Sequence, residues 1–301
     1  MRRISILAMT IVASACSANA GGNGETTRTS EAPLQRTAPP RKIVHPMRGT
    51  APKQTADIPI EYNGGYVMGG TVDVYLLWYG DWSGWAATTI LPDFIQHLGG
   101  SPYYAINTTY GDQYGRQVTN SINLAGSYAD SYSRGTSLSD ADIQGIVSDA
   151  IGSGNLPLDV HGVYFVLTSD DVSQGGFCDG YCGYHSNEVI GDTYVKYTFV
   201  GNPAQCPSGC EPQAAGPNGS ASADGMASIM AHELEESASD PYGDAWFDAN
   251  GDENGDKCAW TFGDEYTAAN GALANMRLGD RDYLIQQNWV NAGGGYCALS
   301  Y

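Results

Sequence analysis

Six cysteines constrain this chain more than any other feature: Cys178, Cys182, Cys206, Cys210, Cys258 and Cys297 are the set left once an N-terminal leader is removed. The leader is read from Arg2 and Arg3, the apolar run from Ile4 to Ala13, and the small residues ending in Ala18-Asn19-Ala20. That is the build of a secretory signal peptide over residues 1–20. An exported chain meets an oxidising compartment, where an even cysteine count reads as disulfides. The two tight pairs make local closure the simplest pairing, Cys178–Cys182 and Cys206–Cys210, with Cys258 tied to Cys297. Other pairings remain among the fifteen that six cysteines allow. A four-cysteine zinc site competes for the tight pairs, although the CxxC spacing it favours is absent.

Two processing signals compete at the N-terminus. Ala13-Ser14-Ala15-Cys16 loosely matches a lipoprotein cleavage box, so anchoring through Cys16 stands beside an ordinary cut after Ala20. No later run is long and apolar enough to span a bilayer, and a monomeric extracellular protein is expected. With 301 residues, 42% of them apolar and 16% charged, the chain can build one large core. Residues 21–58, rich in Thr, Pro, Ser, Gly and basic side chains, read as a disordered linker or pro-segment. Residues 59–301 read as the folded domain. Charge is split between these parts, the folded part holding 6 basic and 30 acidic residues. Nucleic acid is excluded as a partner for so acidic a surface, and cations are favoured.

Patterning within the folded part gives an α+β domain. Thr71 to Gly80 is β-branched and aromatic, as a strand should be. Ile90, Leu91, Phe94, Ile95 and Leu98 recur at helical spacing. A second helix is expected after Ser137, with Ile143, Ile146, Val147 and Ile151 on its apolar side and Ser or Asp to cap it. His161 to Thr168 reads as a central strand, and Tyr197 to Val200 as another. The sum is a single sheet with packed helices and disulfide-stapled loops, the last helix carrying a zincin-like metal motif.

That motif is His232-Glu233-Leu234-Glu235-Glu236, the zinc-peptidase pattern HExxH with a carboxylate in place of its second histidine. Ligands four residues apart share one helical face, and a glutamate beside the first can act as general base toward a metal-activated water. On a helical wheel with His232 at zero, Glu236 falls at about 40° and Glu233 at about 100°, beside Ile229 and Met226, while Glu235 falls at about −60° and is expected to face solvent. His232 and Glu236 are therefore the candidate ligands and Glu233 the candidate base. Carboxylates on an inward face are costly unless a cation meets them. A charged helix with a differently placed inner face is the plainer alternative. Asp240, at the helix end, should seek Lys257 or a second ion.

Glu253 is the leading third ligand, 17 residues after Glu236, with His185 and Asp256 as rivals. Zinc is the first choice of ion by motif, although one imidazole and two carboxylates also suit manganese, calcium or iron. Asp248, Asn250 and Asp252 alternate as calcium-loop ligands do, but Glu253 stands where glycine should be.

Several blocks, Gly175-Gly176-Phe177-Cys178 through Cys182-Gly183-Tyr184-His185, Val200-Gly201-Asn202 with Gln205-Cys206-Pro207-Ser208-Gly209-Cys210, Pro217-Asn218-Gly219 and Asp224-Gly225-Met226, together with Leu76-Leu77-Trp78-Tyr79-Gly80 and Cys297, resemble the secreted phosphate-induced, Exordium-like family. The resemblance runs from about residue 70 to the end. It implies an extracellular or cell-wall protein linked to growth, without an established catalytic activity. Plant members generally lack the His-Glu pair in this helix, so the chain departs from its relatives where chemistry would reside. Two functions follow as expectations. The first is a secreted metal-dependent hydrolase, a zinc peptidase acting on a peptide or protein substrate. The alternative is a non-catalytic Exordium-like protein that binds a cell-wall component or partner and holds a structural metal ion.

Overall fold

The computed structural model describes residues 40–50 and 58–301. The leader and the rest of the 21–58 span lie outside those residues. Six strands form the main mixed sheet: β1 Ile43–Pro46, β2 Gly70–Tyr79, β3 Val118–Asp130, β4 Gly162–Thr168, β5 Tyr181–Ile190 and β6 Thr193–Val200. Their order across the sheet is β1-β5-β6-β4-β2-β3. The four strands β6, β4, β2 and β3 are mutually parallel, while β5 runs antiparallel to β6 and β1 antiparallel to β5. β4 is buried along its whole length, which explains its unbroken apolar sequence: a strand covered on both faces has no polar side to alternate with.

Three helices pack on this sheet: α1 Ala87–Leu98, α2 Asp140–Gly152 and α3 Ala221–Ser239. α2 starts as expected, Ser139 and Asp142 forming a reciprocal capping box. α3 is capped by Ser220, whose side chain accepts from the Ala223 amide, and contacts α1, β5, β6 and β1. Every α3 residue from Ala223 to Ser239 is buried. Short hairpins, Met276–Leu278 with Arg281–Tyr283 and Asn288–Val290 with Tyr296–Ala298, close the C-terminal part.

β1 falls inside the 21–58 span read as a disordered linker or pro-segment; its Ile43 and His45 are buried and the strand pairs with β5. Its short apolar pair is hidden in a basic, proline-rich context. The tight cysteine pairs do not close locally: Cys178 bonds Cys206 and Cys182 bonds Cys210, each across 28 residues, while Cys258 and Cys297 are joined. Cys210 ends the short helical turn Pro207–Cys210, which Cys206 precedes. The turn lies against the start of β5, so Cys206 bonds Cys178 just before that strand and Cys210 bonds Cys182 within it.

Candidate metal centre

α3 and β5 meet closely because β5 carries Gly183 at the crossing. A β-carbon there would lie 2.7 Å from Ile229 and 3.0 Å from Glu233 Oε1. This contact brings His185, two residues further along β5, to the motif helix. His185 Nε2 lies 3.4 Å from Glu236 Oε2 and 3.3 Å from Glu253 Oε2. On the other side of the same carboxylate, His232 Nε2 lies 3.0 Å from Glu236 Oε1 and 3.6 Å from Asp256 Oδ1. Glu236 thus stands between two imidazoles.

Two overlapping ligand sets result, His232 with Glu236 and Asp256, and His185 with Glu233 and Glu236, each with its ligand atoms within 4.8 Å of one another. Tetrahedral zinc with bonds near 2.0–2.1 Å places its ligand atoms about 3.4 Å apart. The 3.0 and 3.6 Å separations around His232 bracket that spacing. Glu253 joins the cluster through His185 rather than His232. Of the sequence candidates, Glu236, Asp256 and His232 come together directly, and His185 completes the far side. β5 itself was not legible as a strand, since its glycine, cysteine and polar residues read as loop.

The loop after α3 is shaped around the cluster. Gly255 lies so near that a β-carbon would be 2.7 Å from His232 Nδ1 and 2.9 Å from Glu236 Oε1. The Asp256 amide donates to Glu236 Oε1 at 3.1 Å, and the Glu253 amide donates to Asp256 Oδ2 at 3.2 Å. Gln286 Nε2 is 2.8 Å from His232 Nδ1 and donates to the Gly255 carbonyl. Ligation through Nε2 needs Nδ1 to carry and donate the ring proton, so the Gln286 amide would turn its oxygen to the ring when an ion binds. Gln286 had no signal in the sequence, because it comes from the remote C-terminal part of the chain.

Electrostatics follow from burial. Desolvation pushes His185 down to about 4, against the favourable Glu236 charge, and His232 down to about 3, so both imidazoles are neutral and offer lone pairs. Burial pushes Glu236 up to about 7, opposed by His185 and the Asp256 and Gly255 amides. Glu233, Glu253 and Asp256 are held well above the usual carboxylate range, first by burial and then by neighbouring carboxyls. The main-chain amide of His45 tempers the Glu233 charge without an aligned hydrogen bond, and both Glu233 oxygens lack a partner. His185 Nε2, His232 Nε2, Glu236 Oε2 and Glu253 Oε2 are likewise buried and unpartnered. Converging orphan lone pairs of nitrogen and oxygen are what a divalent cation satisfies, and the residues fit one.

Other expectations resolve differently. Glu235 does not face solvent: it is fully buried and accepts from Asn288 Nδ2 at 2.6 Å, because the C-terminal hairpin covers the side of α3 that the wheel left open. Asp240 turns to backbone rather than Lys257, accepting from the Asp244 and Ala245 amides at 2.7 and 2.8 Å. Lys257 pairs instead with Asp248 Oδ2 at 2.8 Å. Asp248 Oδ1 accepts from the Asn250 and Asp252 amides, so in the turn weighed as a possible calcium loop, Asp248, Asn250 and Asp252, the first carboxylate is engaged by protein donors.

Comparison with known proteins places these features. The phosphate-induced protein 1 conserved region matches residues 60–286. The chain is 32% identical to Protein EXORDIUM-like 3 of Arabidopsis thaliana over 279 residues, spanning 79% of this chain and 82% of that protein. It is 33% identical to Protein EXORDIUM-like 5 of the same plant over 211 residues, spanning 60% of this chain and only 58% of that protein. Protein PHOSPHATE-INDUCED 1 of Nicotiana tabacum is 28% identical over 214 residues, 61% of this chain and 66% of that protein. No solved structure matches. No helix among the described residues is long and apolar enough to cross a membrane. By its matched region and these relatives, the chain belongs to the phosphate-induced, Exordium-like family.

Proposed function

We propose that this chain is a secreted metal-dependent hydrolase acting on peptide bonds, with the ion held by His232, Glu236 and Asp256 and flanked by His185 and Glu253. The observation that carries the reading is the set of buried, unpartnered donor atoms facing one another around Glu236. A bound divalent ion, zinc by motif, supplies Lewis-acid polarisation of water and of the substrate carbonyl. Glu233, beside His232 on α3 and without a hydrogen-bond partner, accepts the proton of the attacking water at a carboxylate oxygen and returns it to the leaving amine. Its low-dielectric surroundings, which raise its carboxyl well above the usual range, strengthen its hold on that proton. Gln286 keeps the His232 ring from rotating.

A non-catalytic extracellular protein with a structural ion is the second reading, and one observation favours it. His232, Glu233 and Glu236 are each 0% exposed. The two separate on the Glu233→Gln variant, with elemental analysis and hydrolysis of a denatured protein measured side by side. The hydrolase reading expects unchanged ion content and turnover reduced by at least about 100-fold. Equal ion content with both proteins inert supports the structural ion.

A further inference from the structure

The cluster is closed by one strand. β1 runs along the outer edge of β5, pairing Ile43 with His185, Val44 with Tyr184 and His45 with Gly183. Its inward side chains are the buried ones, Ile43 and His45. The His45 ring lies 4.0 Å from the His232 ring and stacks on Trp260 at 5.0 Å. Trp260 Nε1 donates to the Pro46 carbonyl at 2.9 Å, and the His45 amide lies by Glu233. His45 therefore occupies the space over the candidate ligand, with its main chain at the candidate base.

The flanks are held by a different chemistry. Lys42 Nζ pairs with Asp140 at 2.8 Å, donates to the Tyr181 hydroxyl at 2.7 Å and sits 4.3 Å from the Tyr181 and Tyr184 rings. Arg48 donates to the Pro212 carbonyl. Residues 40–50 also lie ahead of the family region, which begins at residue 60.

From this arrangement we propose that the outer edge of β5 is a peptide-binding cleft, that residues 43–46 are its resident occupant, and that substrates bind in their place. The ligand class is an extended peptide, added as an antiparallel strand, with a lysine in the Asp140, Tyr181 and Tyr184 pocket and the third residue after that lysine over His232. Main-chain pairing supplies affinity and alternate side-chain pockets supply selectivity, as in strand addition generally. Tethering gives the resident strand a local concentration in the millimolar range, so it suppresses entry of free peptides until it is displaced. The regulation rests on the hydrolase reading, whereas the cleft itself does not.

The test uses the full chain carrying Glu233→Gln, so that nothing is cleaved, with and without Ile43→Asp and His45→Gly to loosen β1. The probe is a fluorescent synthetic peptide of residues 40–50, followed by anisotropy. The loosened chain is expected to bind it at least about ten-fold more tightly than the chain with intact β1, and replacing the peptide's lysine by alanine should weaken binding several-fold. Equal binding by both chains, in a variant with unchanged near-ultraviolet circular dichroism, overturns the cleft. Should the double variant unfold, His45→Gly alone, which keeps Ile43 but removes the ring packed on His232 and Trp260, loosens β1 and carries the same comparison. A parallel arm with Glu233 intact reads turnover of a denatured protein, expected to rise at least about ten-fold on loosening. Peptide binding without any turnover supports the cleft and overturns the hydrolase.

Discussion

Two buried acidic groups lie one short loop apart and end very differently. Asp248 has both oxygens committed, one to the Lys257 ammonium and the other to two backbone amides. Around Glu236, by contrast, carboxyls from Glu233, Glu253 and Asp256 face two neutral imidazoles, and orphan atoms accumulate. Both regions are equally acidic by sequence. What separates them is whether the protein supplies its own cation, so lone pairs left open, and not acidity, mark a site built for an external one.

The largest expected effect concerns the completed region. Lys257→Met strands Asp248 without its partner and should cost about 3–5 kcal/mol in urea unfolding. In chelator, Glu236→Gln should be neutral or stabilising, because it removes a buried carboxyl that no protein cation balances. A Glu236→Gln loss as large as that of Lys257→Met would erase the contrast.

A smaller effect, of a few kcal/mol, is the pH dependence of metal-free protein. Glu236 and Asp240 are each pushed up to about 7, so in the fold they keep protons that the unfolded chain loses above about 4. The folded state then binds more protons, and stability falls as pH rises through that window. His185 and His232, pushed down to about 4 and about 3, oppose this below about 6.5, where the unfolded chain takes up protons that the fold refuses. Glu233, Glu253 and Asp256, also raised by burial, add to the carboxyl side, so the net trend is a decline toward neutral pH. Saturating zinc should reverse it, because ligands must deprotonate to bind. Unfolding midpoints at about pH 5 and 7.5, with chelator or zinc, read both signs. The same slope in both solutions would break the distinction between the regions.

Smallest is Gly183→Ala, expected to cost about 1–3 kcal/mol by overpacking, since the added carbon meets Ile229, the Phe199 carbonyl and Glu233. Thermal denaturation checks it. A silent substitution would mean that α3 does not need its close approach to β5.

Much of the fold was legible where a single period governs a segment. β2, α1 and β4 emerge within a residue or so of their expected bounds because their burial is one-sided or complete. The motif helix was legible too, along with His232, Glu233 and Glu236 on its inner side. The rest depended on what other segments place nearby. Glu235 is interior only because Asn288 arrives against it, and His185 is a neighbour of Glu236 only because Gly183 lets α3 approach β5. The disulfide pairing turned on two segments lying side by side, which spacing within either one cannot reveal. β1 escaped notice because four residues carry too little pattern, and its strand character comes from the partner it borrows.

Elemental analysis of the purified full chain after equilibration with zinc and removal of free ion tests the central claim most directly. The expected result is at least about one equivalent bound per chain, lost in Glu236→Gln but retained in Lys257→Met that remains folded. Background ion content in a wild-type protein with native circular dichroism would contradict it, leaving the buried carboxyls around Glu236 to be held as protonated acids.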